Sequence, residues 1–129
     1  MSKKIVVGID FSSCSINALE HAVSIAKRAR ADITMVWVNH LDYSKEIFSV
    51  EPKQLSGEVE TRLNGLIEKY SPELGTLKID YKTSKGKIYK EICDVAEELD
   101  AFLIIVGTHG SSGFEEFWIG SNKNRIVSS

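Results

Sequence analysis

"IVVGIDFSSCSINALEHA", residues 5 to 22, changes its period halfway along. Ile5, Val6, Val7 and Ile9 form a short β-rich run flanked by Gly8 and Asp10, and the hydroxyls of Ser12, Ser13 and Ser15 can cap a helix start. From Ile16 onward, Ala18, Leu19, Ala22, Val23, Ala26 and Ala29 fall on one helical face, with Glu20, Lys27, Arg28 and Arg30 largely on the other. The stretch reads as a strand running into an amphipathic helix.

The same unit recurs downstream. "DITMVWVNH" is β-branched and aromatic and apolar through most of its length, so it reads as a strand buried on both faces. After a looser stretch from His40 to Pro52, "KQLSGEVETRLNGLIEKYS" places Leu55, Val59, Leu63, Leu66 and Ile67 at helical spacing, despite Gly57 and Gly65. "LKIDYK" alternates as a strand, "KIYKEICDVAEEL" carries the stripe Ile88, Ile92, Val95, Ala96 and Leu99, and "AFLIIVG" is another buried run. The order β, α, β, α, β, α, β implies parallel strands joined by right-handed crossovers. The class is therefore α/β with helices on both sheet faces and ligands bound beyond the carboxyl ends of the strands. A last helix is expected in "WIGSNKNRIVSS".

Composition narrows the partners. At 129 residues and 43% hydrophobic, the chain can bury one core, so residues 1–129 are expected to form one domain. A net charge of -2 speaks against a duplex-binding surface, and nucleic acid is not an expected partner. The apolar run after Lys3 and Lys4 is too short for a signal peptide or a membrane span, so a cytoplasmic protein with no membrane partner is expected. Cys14 and Cys93 are far apart with no C-x-x-C pair and read as two reduced thiols.

"GTHGSSGFEEFWIGS", residues 107 to 121, follows the last buried strand. Gly107 and Gly110 allow close approach of a ligand to backbone N–H groups, and such a loop can form an anion-binding nest. Gly120 and Ser121, near the expected last helix start, could add donors to the same anion. The alternative is that the glycines only permit a tight turn. The spacing G-x2-G-x9-G-[ST] is neither a P-loop nor the dinucleotide fingerprint.

With this motif, the opening "IVVGIDFSSCSINALEHA", the strand "ITMVWV" and the run "GKIYKEI", the whole chain resembles the universal stress proteins, whose nucleotide-binding members carry that spacing. The resemblance implies a Rossmann-like domain of the adenine nucleotide alpha hydrolase type. It also implies a stress-response regulator that binds ATP or a related adenine nucleotide with Mg²⁺ or Mn²⁺. By position, Asp10 matches an acidic residue set against the adenosine part of the ligand and Val38 a residue of the adenine pocket. Gly107, Gly110, Gly120 and Ser121 match phosphate and ribose contacts. Asp10 also fits a plain helix-start cap. His109, inside the loop, is a candidate for direct ligand contact, and Asn122 can still donate a hydrogen bond where family members often carry a small or apolar residue.

Departures from the family pattern set further expectations. Ser111 to Ile119 holds no basic residue but does hold Glu115 and Glu116, so Lys123, Arg125 or a divalent cation would have to balance phosphate charge. Phe114, Phe117 and Trp118 could pack beneath the loop or close over the base. The family's fold goes on to a fifth strand that commonly forms the dimer interface. That strand is expected to be missing here, as in a shortened chain or the first half of a tandem protein, leaving a bare sheet edge; pairing as a homodimer or through tandem domains is expected.

Lys82, Lys85, Lys87 and Lys90 cluster around Gly86, as a solvated face or as an anion contact. No base or arginine finger is evident, so any ATPase activity would be slow. The rival readings are a dimerising or chaperone-like stress protein that binds no nucleotide, and an adenylating or flavoprotein-type enzyme.

Overall fold

Each apolar run becomes a strand whose two faces are both covered. In the computed structural model, which describes residues 3–39, 52–109, 115–121 and 125–128, the elements follow in the order β1 (Lys3–Gly8), α1 (Ser13–Ala29), β2 (Ala31–Asn39), α2 (Pro52–Leu74), β3 (Ile79–Lys85), α3 (Ile88–Glu98), β4 (Leu103–His109), β5 (Glu115–Ser121) and β6 (Arg125–Ser128). The sheet order is β3-β2-β1-β4-β5-β6. The four strands β1 to β4 are mutually parallel, and β5 and β6 run antiparallel to their neighbours.

The period-2 alternation of strand side chains divides the core. Ile5, Val7, Ile33, Met35 and Ile105 face one way and pack with Ala18, Leu19 and Ala22 of α1 and Leu63 and Tyr70 of α2. Val6, Val36, Ile104 and Val106 face the other way and pack with Ile92, Val95 and Ala96 of α3. Leu19, Leu63 and Ile92 are almost wholly buried, each contributing about 1.5–3 kcal/mol by removal from water. Tyr70 donates from its hydroxyl to Glu20 at 3.2 Å, tying α2 to α1.

The expected α/β class with helices on both faces is present, and the six elements expected from the first helix to the last buried strand lie within a few residues of their expected positions. The expected last helix is not. Residues 115–121 and 125–128 form β5 and β6, with Glu115 opposite His109 and Gly120 opposite Ile104. The outer edge of β4 is therefore paired rather than bare. A return strand needs only a short connection, whereas another parallel strand needs a crossover of about a dozen residues. Phe117, Trp118 and Ile119 favour an extended chain once a sheet edge is there to receive them. The looser stretch after β2, Gly110, Phe114, Asn122 and Lys123 lie outside the described residues.

Candidate functional site

The strand order turns back at β1, which lies between β2 and β4, and in parallel sheets such a reversal opens a crevice at the carboxyl edge. Gly8 is the last β1 residue in register, opposite Val36 and Val106. Both neighbours run three residues further, to Asn39 and His109, so the gap beyond β1 is about 10 Å deep at the rise of a strand.

Local sequence explains why β1 stops there. The Ile9 amide makes a last bond to the Val36 carbonyl at 2.9 Å. Phe11 then takes a left-handed conformation, φ 65°, which costs a non-glycine residue about 1–3 kcal/mol. Its ring packs against the first core and lies 5.3 Å beneath the Arg62 guanidinium. The chain re-enters regular structure at Ser12, whose hydroxyl accepts from the Ser15 amide at 3.2 Å as the cap of α1.

The resulting cleft holds about 200 Å³. Val36, Val106 and Ile92 give it an apolar floor, Val38 and Gly107 stand on opposite sides, and Ile88 and Tyr89 stand at its mouth. Gly8 belongs to the floor, and a Cβ there would come within 2.7 Å of Ile92 Cδ1. Since the Val36 carbonyl faces β1, strand alternation turns the N–H and C=O of Val38 to the same side, two residues past the last backbone bond from β1. A donor and an acceptor thus point side by side into the gap.

Asp10 is the one charged residue among the described lining residues. Its Oδ1 accepts from the Ser12 amide at 2.9 Å and from the Ser12 hydroxyl at 2.5 Å, and its own amide bonds the Ser15 hydroxyl at 3.3 Å. Partial burial pushes the carboxyl up, but the hydrogen bonds from Ser12 and Ser15 outweigh it and hold the group below its ordinary value. Asp10 is therefore an ionised, oriented acceptor at neutral pH. The helix cap is Ser12 and not Asp10, whose carboxylate holds that cap from the cleft side.

The structure brings Asp10, Val38 and Gly107 together. Gly107 also has a packing reason to be glycine: a Cβ would fall onto the Cys14 carbonyl oxygen, with the Ser15 amide nitrogen 3.1 Å away. His109 ends β4, whereas Gly120 and Ser121 lie on β5, with Gly120 beside Ile104, three rows below the row of Gly107. Gly120 and Ser121 are not brought to the cleft; Gly110 and Asn122 lie outside the described residues.

Sequence reasoning missed Gly8, Ile9, Val36, Ile88, Tyr89, Ile92 and Val106 as lining. Ile88 belonged to the expected core stripe, yet it is 37% exposed, because the first turn of α3 projects past the carboxyl edge that its later turns cover. Of the lysine cluster, Lys82 pairs with Glu98 at 3.4 Å and Lys90 with Asp94 at 2.9 Å, while Lys85 and Lys87 are exposed. Neither Cys14 nor Cys93 is in a disulfide among the described residues. Among the described residues no cluster of three metal-ligating side chains occurs, and no helix is long and apolar enough to cross a membrane.

Comparison with known proteins agrees with this fold. The profile of the universal stress protein family matches residues 1–129. Universal stress protein MJ0531 of Methanocaldococcus jannaschii is 29% identical over 133 residues, covering 97% of this chain and 75% of that protein. Among solved structures, universal stress protein UspA from Lactobacillus plantarum has a TM-score of 0.65 at 19% identity, covering 97% of this chain and 83% of its own. A family member from Arabidopsis thaliana with AMP bound has a TM-score of 0.59 at 14% identity, covering 85% of this chain and 79% of its own.

Proposed function

The chain belongs to the universal stress protein family, and from that premise we propose that it is a cytoplasmic regulator that binds ATP or a related adenine nucleotide at the cleft beyond β1. The observation that carries the reading is the convergence of Asp10, Val38 and Gly107 on one apolar slot. The Val38 N–H and C=O match the acceptor and donor on the edge of an adenine ring. The Asp10 carboxylate, held by Ser12 through Oδ1, offers its second oxygen to ribose hydroxyls. At about 200 Å³ the slot is smaller than the roughly 300–1,000 Å³ of sites that enclose a whole ligand. The base and ribose edge would sit inside and the phosphates outside, by Gly107, His109 and Gly110. Gly120 and Ser121 would reach those phosphates only with residues 115–121 arranged differently from β5.

Asp10 is the one carboxylate among the described lining residues, so Mg²⁺ or Mn²⁺ would be held chiefly by the phosphates of a bound polyphosphate. Pairing with a second copy or a tandem domain would let nucleotide occupancy alter partner contacts.

Calorimetric titration of Mg²⁺-ATP and of AMP into the wild type and Asp10→Ala tests this. Micromolar binding weakened about tenfold by Asp10→Ala, the scale of a lost charge-assisted hydrogen bond, is expected. No binding of either ligand by the folded wild type would overturn the reading. The nucleotide-independent reading is favoured by one observation, that packing of Gly107 against α1 accounts for that glycine without a ligand.

A further inference from the structure

Ile88, at 37%, and Tyr89, at 48%, are the exposed large hydrophobic residues among those described. Scattered apolar exposure is ordinary, but these two are adjacent, occupy the first turn of α3 and both line the cleft. The buried stripe of α3 begins only at Ile92. Tyr89 is thus about half exposed where it lines the slot.

That turn is fixed in place. The Gly86 amide, at φ 141°, donates to the Asn39 carbonyl at 3.3 Å, tying the entrance of α3 to the end of β2, where Val38 lies. The Glu91 amide donates to the Lys87 carbonyl at 2.9 Å, and the Glu91 carboxylate accepts from the Ser84 hydroxyl of β3. Tyr89 thus stands on a turn held to both strands of that wall, close to the backbone pair of Val38. A planar ligand held edge-on by the Val38 backbone would turn one face toward the α3 side of the sheet, where Ile88 and Tyr89 line the cleft.

We infer that Tyr89 is the platform on which the ligand's base stacks, a specificity-determining contact for flat, purine-sized groups, with Ile88 closing the slot beside it. This role rests on the nucleotide reading. Stacking does not distinguish one purine edge from another, so Tyr89 sets how tightly a purine is held while the Val38 backbone sets which purine.

The test is an NMR titration of AMP and of inosine monophosphate into the wild type, Tyr89→Ala and Tyr89→Phe, each checked for folding by circular dichroism. The expected result is an upfield ring-current shift of the AMP H2 and H8 protons in the wild type and Tyr89→Phe. Tyr89→Ala should abolish that shift and weaken both ligands about tenfold, leaving the ratio between them unchanged. AMP binding to Tyr89→Ala with wild-type affinity and shifts would overturn the platform and leave the nucleotide reading standing. A folded wild type that binds neither ligand would overturn both.

Discussion

Two glycines at the carboxyl edge are constrained to different degrees. At Gly107 an added methyl would meet the α1 backbone at Cys14, and neither element can move without disturbing the sheet. At Gly8 it would meet only the flexible end of Ile92. Gly107→Ala is thus expected to cost about 3 kcal/mol in urea unfolding, and Gly8→Ala about 1 kcal/mol, the spread of overpacking penalties. Gly8→Ala should also narrow the cleft and weaken nucleotide binding without loss of fold. Asp10 makes a second residue-scale prediction. Its folded pKa lies below the ordinary 3.8, so its contribution to stability is complete above that value and is lost as pH falls through the folded pKa. Urea midpoints measured between about pH 5 and pH 2 should fall less steeply with acid in Asp10→Asn than in the wild type. An equal slope would show that Ser12 and Ser15 do not hold the ionised carboxylate.

At the scale of elements, the turn from β1 into α1 couples stability to the site. Ser12 caps the helix through its hydroxyl and holds Asp10 through the same hydroxyl and its amide. Ser12→Ala should lower stability by about 1 kcal/mol, or roughly 4 °C in Tm, and weaken nucleotide binding as well, because Asp10 loses a partner. A loss of Tm with unchanged affinity would separate the two roles. This turn was legible in the sequence because strand period, capping hydroxyls and helix period follow one another within residues 5 to 22. Phe11 in the left-handed region was not, because its conformation is selected by core packing and Arg62 of α2, both distant in sequence. The helix expected in "WIGSNKNRIVSS" is instead the end of β5 and the whole of β6 among the described residues, for the same physical reason. Phe117, Trp118 and Ile119 serve a short helix or a strand comparably well by local propensity, and pairing with β4 decides between them. The exposed first turn of α3 was also hidden, since the i, i+4 spacing of Ile88 and Ile92 gives no sign of where the sheet beneath ends.

For the whole molecule, the four parallel strands and their helices build the cleft, and β5, itself paired with β6, covers the outer edge of β4. Cutting the chain after His109 would return that edge to unpaired N–H and C=O groups, and sedimentation should then show association at concentrations where the intact chain shows less. The central claim is that the gap left where β1 stops, between β2 and β4, is an adenine site. It is tested most directly by following backbone amide resonances during an AMP titration. The account predicts the largest shifts at Asp10, Val38 and Gly107, with smaller ones at Ile88 and Tyr89 and little change along the amino edge of the sheet at Lys3, Ala31 and Leu103. Saturable shifts centred away from the cleft, or no shifts at all, would contradict it.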